Sequence, residues 1–243
     1  MPEHSLSRLS LSRAAVKWRR GMQYMSLRLL LILPILVCAL TLQSCGKSIS
    51  LRQKMTVEIN TPEGVKVGSS VVEIKLTDTR GRFSFPEASG VMANYTGEAA
   101  VVEVQPGKYL FALLKNYPSL IALSHQRGQD VMDLAQSLQR SANSVLTTIG
   151  PSRYPTLVTF SDLKNSTTVE EVQPDRLAVV FGPDVTIRSI TLSFTSDDIT
   201  KGVVEALLPW LGPDQQRRLG PATGRITNIP YYRMVAQGDF IRR

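Results

Sequence analysis

"GEAAVVEVQPGKYLFALL", residues 97–114, sets two apolar runs on either side of Gln105, Pro106 and Gly107. Proline presets φ for a turn and glycine accepts the positive φ that a tight turn demands, so the stretch reads as a β-hairpin. Antiparallel β-structure then becomes the organising element, and the segments on either side can be tested for the same period. Upstream, "MTVEI" (55–59) alternates with Val57 and Ile59 on one side, "NTPEG" (60–64) supplies turn residues, and "SVVEIKL" (70–76) follows. These predict two further strands.

Downstream of the hairpin the period changes. Val131, Leu134, Ala135, Leu138, Ala142 and Val145 recur at spacings of three and four, which predicts an amphipathic helix over 130–145 packed on the sheet. "GPSRYP" (150–155) breaks the chain, after which "TLVTF" (156–160) and "LAVVF" (177–181) carry β signals. In "VTIRSITLSFT" (185–195), Val185 and Ile187 alternate, the phase slips at Arg188 and Ser189, and Ile190, Leu192 and Phe194 resume it. Such a slip predicts a bulge. "SDDIT" (196–200) offers Ser196 and Asp197 as N-caps for a short helix whose face is Ile199, Val203 and Leu207, ending at Pro209. Beyond Trp210 the tail is rich in turn residues. No repeat or long linker divides residues 55–243, so a single α+β domain is expected. It is mainly an antiparallel, sandwich-like sheet, with one longer amphipathic helix and a short C-terminal helix.

The composition, 43% apolar and 20% charged, is that of a foldable chain. The formal charge of +8 is concentrated at the start: six basic residues (Arg8, Arg13, Lys17, Arg19, Arg20, Arg28) precede Cys45 against one acid, Glu3. From Cys45 onward the balance is 28 − 6 = 22 basic against 20 − 1 = 19 acidic, or +3, which argues against nucleic acid as a partner. Only two cysteines occur, Cys38 and Cys45, and His125 is the sole histidine beyond them. Disulfides, thiolate metal sites and multi-histidine zinc sites are excluded from the folded part, and no cofactor is expected.

The leader explains where the charge went. Residues 29–42 are uncharged, interrupted only by Pro34 and Thr41, and 14 apolar residues suit a signal-peptide core better than the roughly 20 of a membrane span. Leu42, Gln43, Ser44 and Cys45 resemble the bacterial lipobox: an aliphatic residue, a tolerant position, a small residue, then cysteine. That resemblance implies cleavage between Ser44 and Cys45 and a lipid on the Cys45 thiol, with several acyl chains anchoring far more firmly than one. Cys45 after an ordinary signal peptide or a short uncleaved inner-membrane anchor is the alternative. Translation from Met25, or Met22, gives a compact leader over 25–44 and leaves residues 1–24 as an upstream extension; Met1 gives a cytoplasmic one. Gly46 follows Cys45 where aspartate signals inner-membrane retention in many enterobacterial lipoproteins, which implies the outer membrane, facing the periplasm. "GKSISLRQK" (46–54) is polar and basic, so residues 45–54 read as a tether able to touch anionic head groups.

Catalytic patterns are sparse. Ser161 and Lys164 in "SDLK" match the Ser-x-x-Lys spacing by which penicillin-binding enzymes set a nucleophile and its lysine on one helical face. The 23 serines and 9 lysines among 243 residues make about one such spacing expected by chance. Ser141–Asn143 precedes it instead of following, "ATG" (222–224) lacks the lysine of Lys-Thr-Gly, and Ser161 follows a strand. Asp197-Asp198 and Glu170-Glu171 are adjacent pairs whose side chains diverge. His125 reads as a surface or helix-end residue. "YYRMVAQGDFIRR" (231–243) sets Tyr231, Tyr232 and Phe240 among arginines, as either a core-capping tail or an interaction patch.

"YPTLVTFSD" (154–162), "VQPDRLAVVFGPDVTIRSITLSFT" (172–195), "LPWLG" (208–212) and "GDF" (238–240) together resemble an uncharacterised group of proteobacterial exported or lipoprotein-like proteins. That resemblance covers most of the chain after Phe111 and implies one folded unit. The expectation is a membrane-anchored lipoprotein with a periplasmic, non-catalytic domain that binds an envelope protein or component; a periplasmic serine hydrolase using Ser161 and Lys164 is the alternative.

Overall fold

β1 (Ser48–Thr61) and β2 (Gly64–Asp78) pair antiparallel from Ser48 opposite Thr77 to Thr61 opposite Gly64, around Pro62 and Glu63. The structure, a computed structural model, describes residues 47–80, 90–141, 146–214, 216–220 and 229–243. Both strands run well past the segments that strict alternation identified. β1 buries Leu51, Gln53, Met55, Val57 and Ile59 on one face. The tether assigned to 45–54 is therefore corrected: from Ser48 it is strand. Its polar residues Ser50, Arg52 and Lys54 belong to the outward face, while Leu51 and Gln53 face the core. The leader, including Leu42–Cys45, lies outside the described residues.

β3 (Val91–Glu98) pairs with β2, and the chain then changes sheet at Ala99 to enter β4 (Ala100–Gln105) and β5 (Lys108–Ala112). The hairpin over 97–114 is present, turning at Pro106-Gly107 with Gly107 at φ 74°, but Gly97 and Glu98 close the preceding strand instead of opening this one. With β6 (Leu146–Thr148), β7 (Leu157–Phe160), β8 (Val169–Glu171), β9 (Thr186–Phe194) and β10 (Ile241–Arg242), the strands form two sheets. One has six strands in the order β10-β3-β2-β1-β9-β6, the other four in the order β4-β5-β7-β8. All the pairings are antiparallel. The protein is thus α+β and mainly β. The slip in β9 is a bulge: Glu58 faces Ser189 and Ile59 faces Ile187, leaving Arg188 unpaired.

The four-stranded sheet is buried on both faces. Val102, Val104, Leu110, Ala112 and Leu157 pack with Met55, Val57, Ile74 and Leu192 of the larger sheet, whereas Phe111, Leu113, Val158 and Phe160 pack with Val204, Leu208, Val235 and Phe240. This is why all four residues of β7 are buried, Thr159 included, whose hydroxyl donates to Tyr109 O at 2.9 Å. Where β2 crosses β4 the backbones touch. A Cβ at Gly68 would stand 1.9 Å from the Val101 carbonyl oxygen, so only glycine allows the approach.

The helices are short. α1 (Leu120–Ser124) is tied to β1 by the buried Gln53 side chain, whose Nε2 donates to Pro118 O at 2.8 Å and whose Oε1 accepts from Leu120 N at 2.7 Å. α2 (Val131–Arg140) is the amphipathic helix, N-capped by Asp130 Oδ1, which accepts from Met132 N at 2.8 Å and Asp133 N at 3.2 Å. Residues 142–145 of the expected helix lie outside the described residues. "LAVVF" is a helix, α3 (Leu177–Phe181), not a strand. Its ends, Leu177 and Phe181, are one turn apart and reach the core together, while Val179 is 75% exposed, so tertiary packing overrides the β-propensity of the valines.

α4 (Val203–Leu207) is shorter than its apolar face suggests and is not capped by Ser196 or Asp197. Residues 195–202 instead cross to the larger sheet. Asp197 pairs with Lys54 at 3.1 Å, Asp198 with Arg52 at 3.2 Å, and Thr200 N donates to Val71 O at 3.0 Å beyond the reach of β3. The cap comes from far away. The Glu98 carboxylate, only 2% exposed, accepts from the backbone N–H groups of Gly202, Val203 (2.9 Å) and Val204 (3.0 Å).

Two outcomes are expected. Glu98→Ala strands three N–H donors at the start of α4, that of Val204 buried, and lowers unfolding stability by about 3 kcal/mol, measured by urea denaturation, with Glu98→Gln losing less. Arg80 bridges Asp78 and Asp130, and its guanidinium holds the Asp78 carboxyl down to about 2 and lowers that of Asp130. A depressed carboxyl contributes stability that is complete above its unfolded pKa, near 4, and is lost as pH falls through the folded value. Carboxyl NMR titration should place the Asp78 midpoint near 2, and Arg80→Ala should return it toward 4.

Candidate functional site

The outer face of the four-stranded sheet is covered by α4 and the tail, and an aromatic cluster fixes the tail there. Phe240 meets Phe111, Phe160 and Trp210 at ring-centroid distances of 6.0, 5.8 and 5.7 Å. Phe240 and Val235 are fully buried, so of the two readings of 231–243 the core-capping tail is the one observed. The Trp210 indole N–H donates to Leu163 O at 2.9 Å, joining the layer to the turn after β7.

Beside this cluster lies a cleft of about 340 Å³, within the range of small-molecule pockets. Four separate segments build it: Ser166 in the 3-10 turn before β8, Trp210 after α4, residues 217–220, and Gln237 in the tail. Backbone bonds hold the last two together, with Gln237 N donating to Arg217 O at 2.9 Å and Leu219 N to Val235 O at 3.1 Å. Gln237 is 5% exposed, and its Oε1 accepts from Gly212 N at 2.9 Å. Arg217 and Arg218 are exposed at the rim, and Arg218 Nη1 donates to Met234 O at 3.2 Å. Gly220 adopts φ 71°, and a Cβ there would lie 2.6 Å from the Tyr232 ring and 2.9 Å from Thr167 Cγ2. The arrangement offers guanidinium groups, an indole wall, an amide and a hydroxyl.

The residues singled out by pattern lie elsewhere. Ser161 and Lys164 are both exposed in a turn, where Asp162 Oδ1 accepts the Lys164 backbone N–H at 2.9 Å; the helical face that Ser-x-x-Lys requires is not formed there. Asp197 and Asp198 serve separate cations, as given above. Glu170 and Glu171 are exposed on β8. His125 Nε2 lies 2.9 Å from Gln129 O at the end of α1. Ser44 and Cys45 are outside the described residues, as are residues 142–143 and 222–224. Among the described residues, no three His, Cys, Asp or Glu side chains gather as a metal site, and no helix is long and apolar enough to cross a membrane.

Among the described residues, the phenolic hydroxyls of Tyr117 and Tyr231 are buried without a hydrogen-bond partner within geometric reach. Burial raises both above the usual tyrosine range, and the Glu171 and Asp239 carboxylates add to the effect at Tyr231. Both stay neutral.

No protein-family model matches the chain, and no curated protein or solved structure matches it either.

The cleft wall depends on glycine at 220. Gly220→Ala should lower stability by about 1–3 kcal/mol in urea denaturation, because both the positive φ and the Tyr232 ring oppose a Cβ.

Proposed function

We propose that the chain is a bacterial lipoprotein, held at a membrane by a lipid on Cys45 and carrying a periplasmic domain that binds an envelope component and does not catalyse a reaction. The observation that carries this reading is the cysteine-terminated leader. Leu42, Gln43, Ser44 and Cys45 end an uncharged run with cationic residues before it, and the compact unit Lys47–Arg243 follows directly. Only Gly46 stands between them, so cleavage before Cys45 would release a chain that is almost entirely folded domain. Gly46 in place of aspartate supports the outer membrane as destination. For the domain itself, the cleft at Trp210 supports binding through its cations, indole and amide.

Metabolic labelling with a palmitate analogue, followed by intact-mass measurement of the membrane fraction, tests the proposal. Wild-type protein is expected to carry label and to begin at an acylated Cys45. Cys45→Ala should carry none and retain its leader. Equal absence of label in the two overturns the reading, and an unlabelled wild-type protein of uncleaved mass assigns the leader to an inner-membrane anchor.

A further inference from the structure

Arg217 and Arg218 share the lack of an ion pair with Arg127, Arg140, Arg153, Arg176, Arg233 and Arg242 among the described residues; what sets them apart is that they are adjacent and line a cleft. Arg52, Arg80, Arg188 and Arg243 each lie within ion-pair reach of a carboxylate, Asp198, Asp78 with Asp130, Glu58 and Glu205 respectively. Arg217 and Arg218 have no such partner among the described residues. Asp214, three positions before Arg217, uses Oδ1 to accept from Gln216 N at 3.1 Å. Two adjacent, exposed arginines thus line the cleft without a carboxylate in ion-pair reach among the described residues.

The rest of the cleft limits what they bind. The Trp210 indole is fixed by its bond to Leu163 O and by tilted and edge-to-face contacts with Phe160 and Phe240 at 5.7 Å each, so it presents a rigid wall. Leu219, buried, continues the apolar lining. Gln237 commits its Oε1 to Gly212 and keeps Nε2 as a donor, and the Ser166 hydroxyl is a second polar group. A fixed apolar wall beside paired cations and a few hydrogen-bonding groups selects for charge and shape together.

We propose that this cleft binds a small ligand bearing an oxyanion, carboxylate or phosphate, on a planar or apolar body. Arg217 and Arg218 take the oxyanion, and Trp210 with Leu219 packs the body. The proposal rests on reading the domain as a binding module but not on Cys45. Failed lipid labelling leaves the cleft untouched, and failed ligand binding leaves acylation untouched.

The test uses the full chain in detergent with Trp18→Phe, which leaves Trp210 as its only tryptophan. Phenyl phosphate, benzoate, phenol and inorganic phosphate are titrated while Trp210 fluorescence is followed. The two aromatic anions should give saturable changes, each at least about tenfold tighter than phenol or inorganic phosphate. The tighter of the two identifies the anion. Arg217→Gln with Arg218→Gln should weaken them about tenfold or more and leave phenol unaffected. Arg217→Gln alone, whose guanidinium makes no bond within the described protein, carries the test if the double variant unfolds. Absence of saturation by about 10 mM of either aromatic anion overturns the proposal, as does equal affinity for phenol or unchanged affinity in the arginine variants. Inorganic phosphate binding as tightly as phenyl phosphate overturns the part assigned to Trp210.

Discussion

A single buried carboxylate holds three parts of this molecule in register. Glu98 ends β3, and its backbone pairs with Ile241 of β10 and accepts the Ser70 hydroxyl from β2. Its side chain takes the first N–H groups of α4. A carboxylate at 2% exposure is costly unless its lone pairs are filled, and here three backbone donors fill them. The donors are themselves groups that a helix start leaves unsatisfied. Each side therefore removes the other's desolvation penalty, and the larger sheet, the strap over 195–202 and the tail are bound at one point.

That junction explains the layering. At Ala99 the chain leaves the six-stranded sheet and starts the four-stranded one, so the two sheets are covalently joined where Glu98 is anchored. The smaller sheet then needs cover on its second face, because Phe111, Val158 and Phe160 point away from the larger one. α4 and the tail supply it. The close approach at Gly68 brings β2 against β4 from the other side. The four-stranded sheet is consequently a central layer, and its residues carry the apolar content expected of one.

What the sequence made legible follows from how local each cause is. The hairpin at Pro106-Gly107, the bulge at Arg188 and the helix opening at Asp130 are set by neighbouring residues, and all three are present. "LAVVF" failed because a five-residue apolar run fits helix or strand, and the core contacts of Leu177 and Phe181 decided between them. Ser196 and Asp197 failed as caps because Lys54 competes for Asp197 and Glu98, about a hundred residues upstream, caps α4. No local pattern reports a partner at that separation. The candidate site was least legible for the same reason: Ser166, Trp210, Arg217 and Gln237 meet only in three dimensions. Adjacent arginines at 217–218 and the lone downstream tryptophan were the signals available; arginines are common on surfaces and a tryptophan is as readily core.

The same dispersion gives the cleft a physical consequence. Gln237 reaches its place only when the tail docks, since the backbone bonds from Gln237 to Arg217 and from Leu219 to Val235 close that layer. The last segment of the chain therefore completes both the cleft and the core on the outer face of the four-stranded sheet. A ligand of the proposed kind would bind only where the tail is docked, and would stabilise the fold in proportion to the logarithm of its concentration over its dissociation constant. Phe240, buried among Phe111, Phe160 and Trp210, fixes the tail beside the cleft together with Val235 and Ile241. Ligand and aromatic cluster share one wall, Trp210.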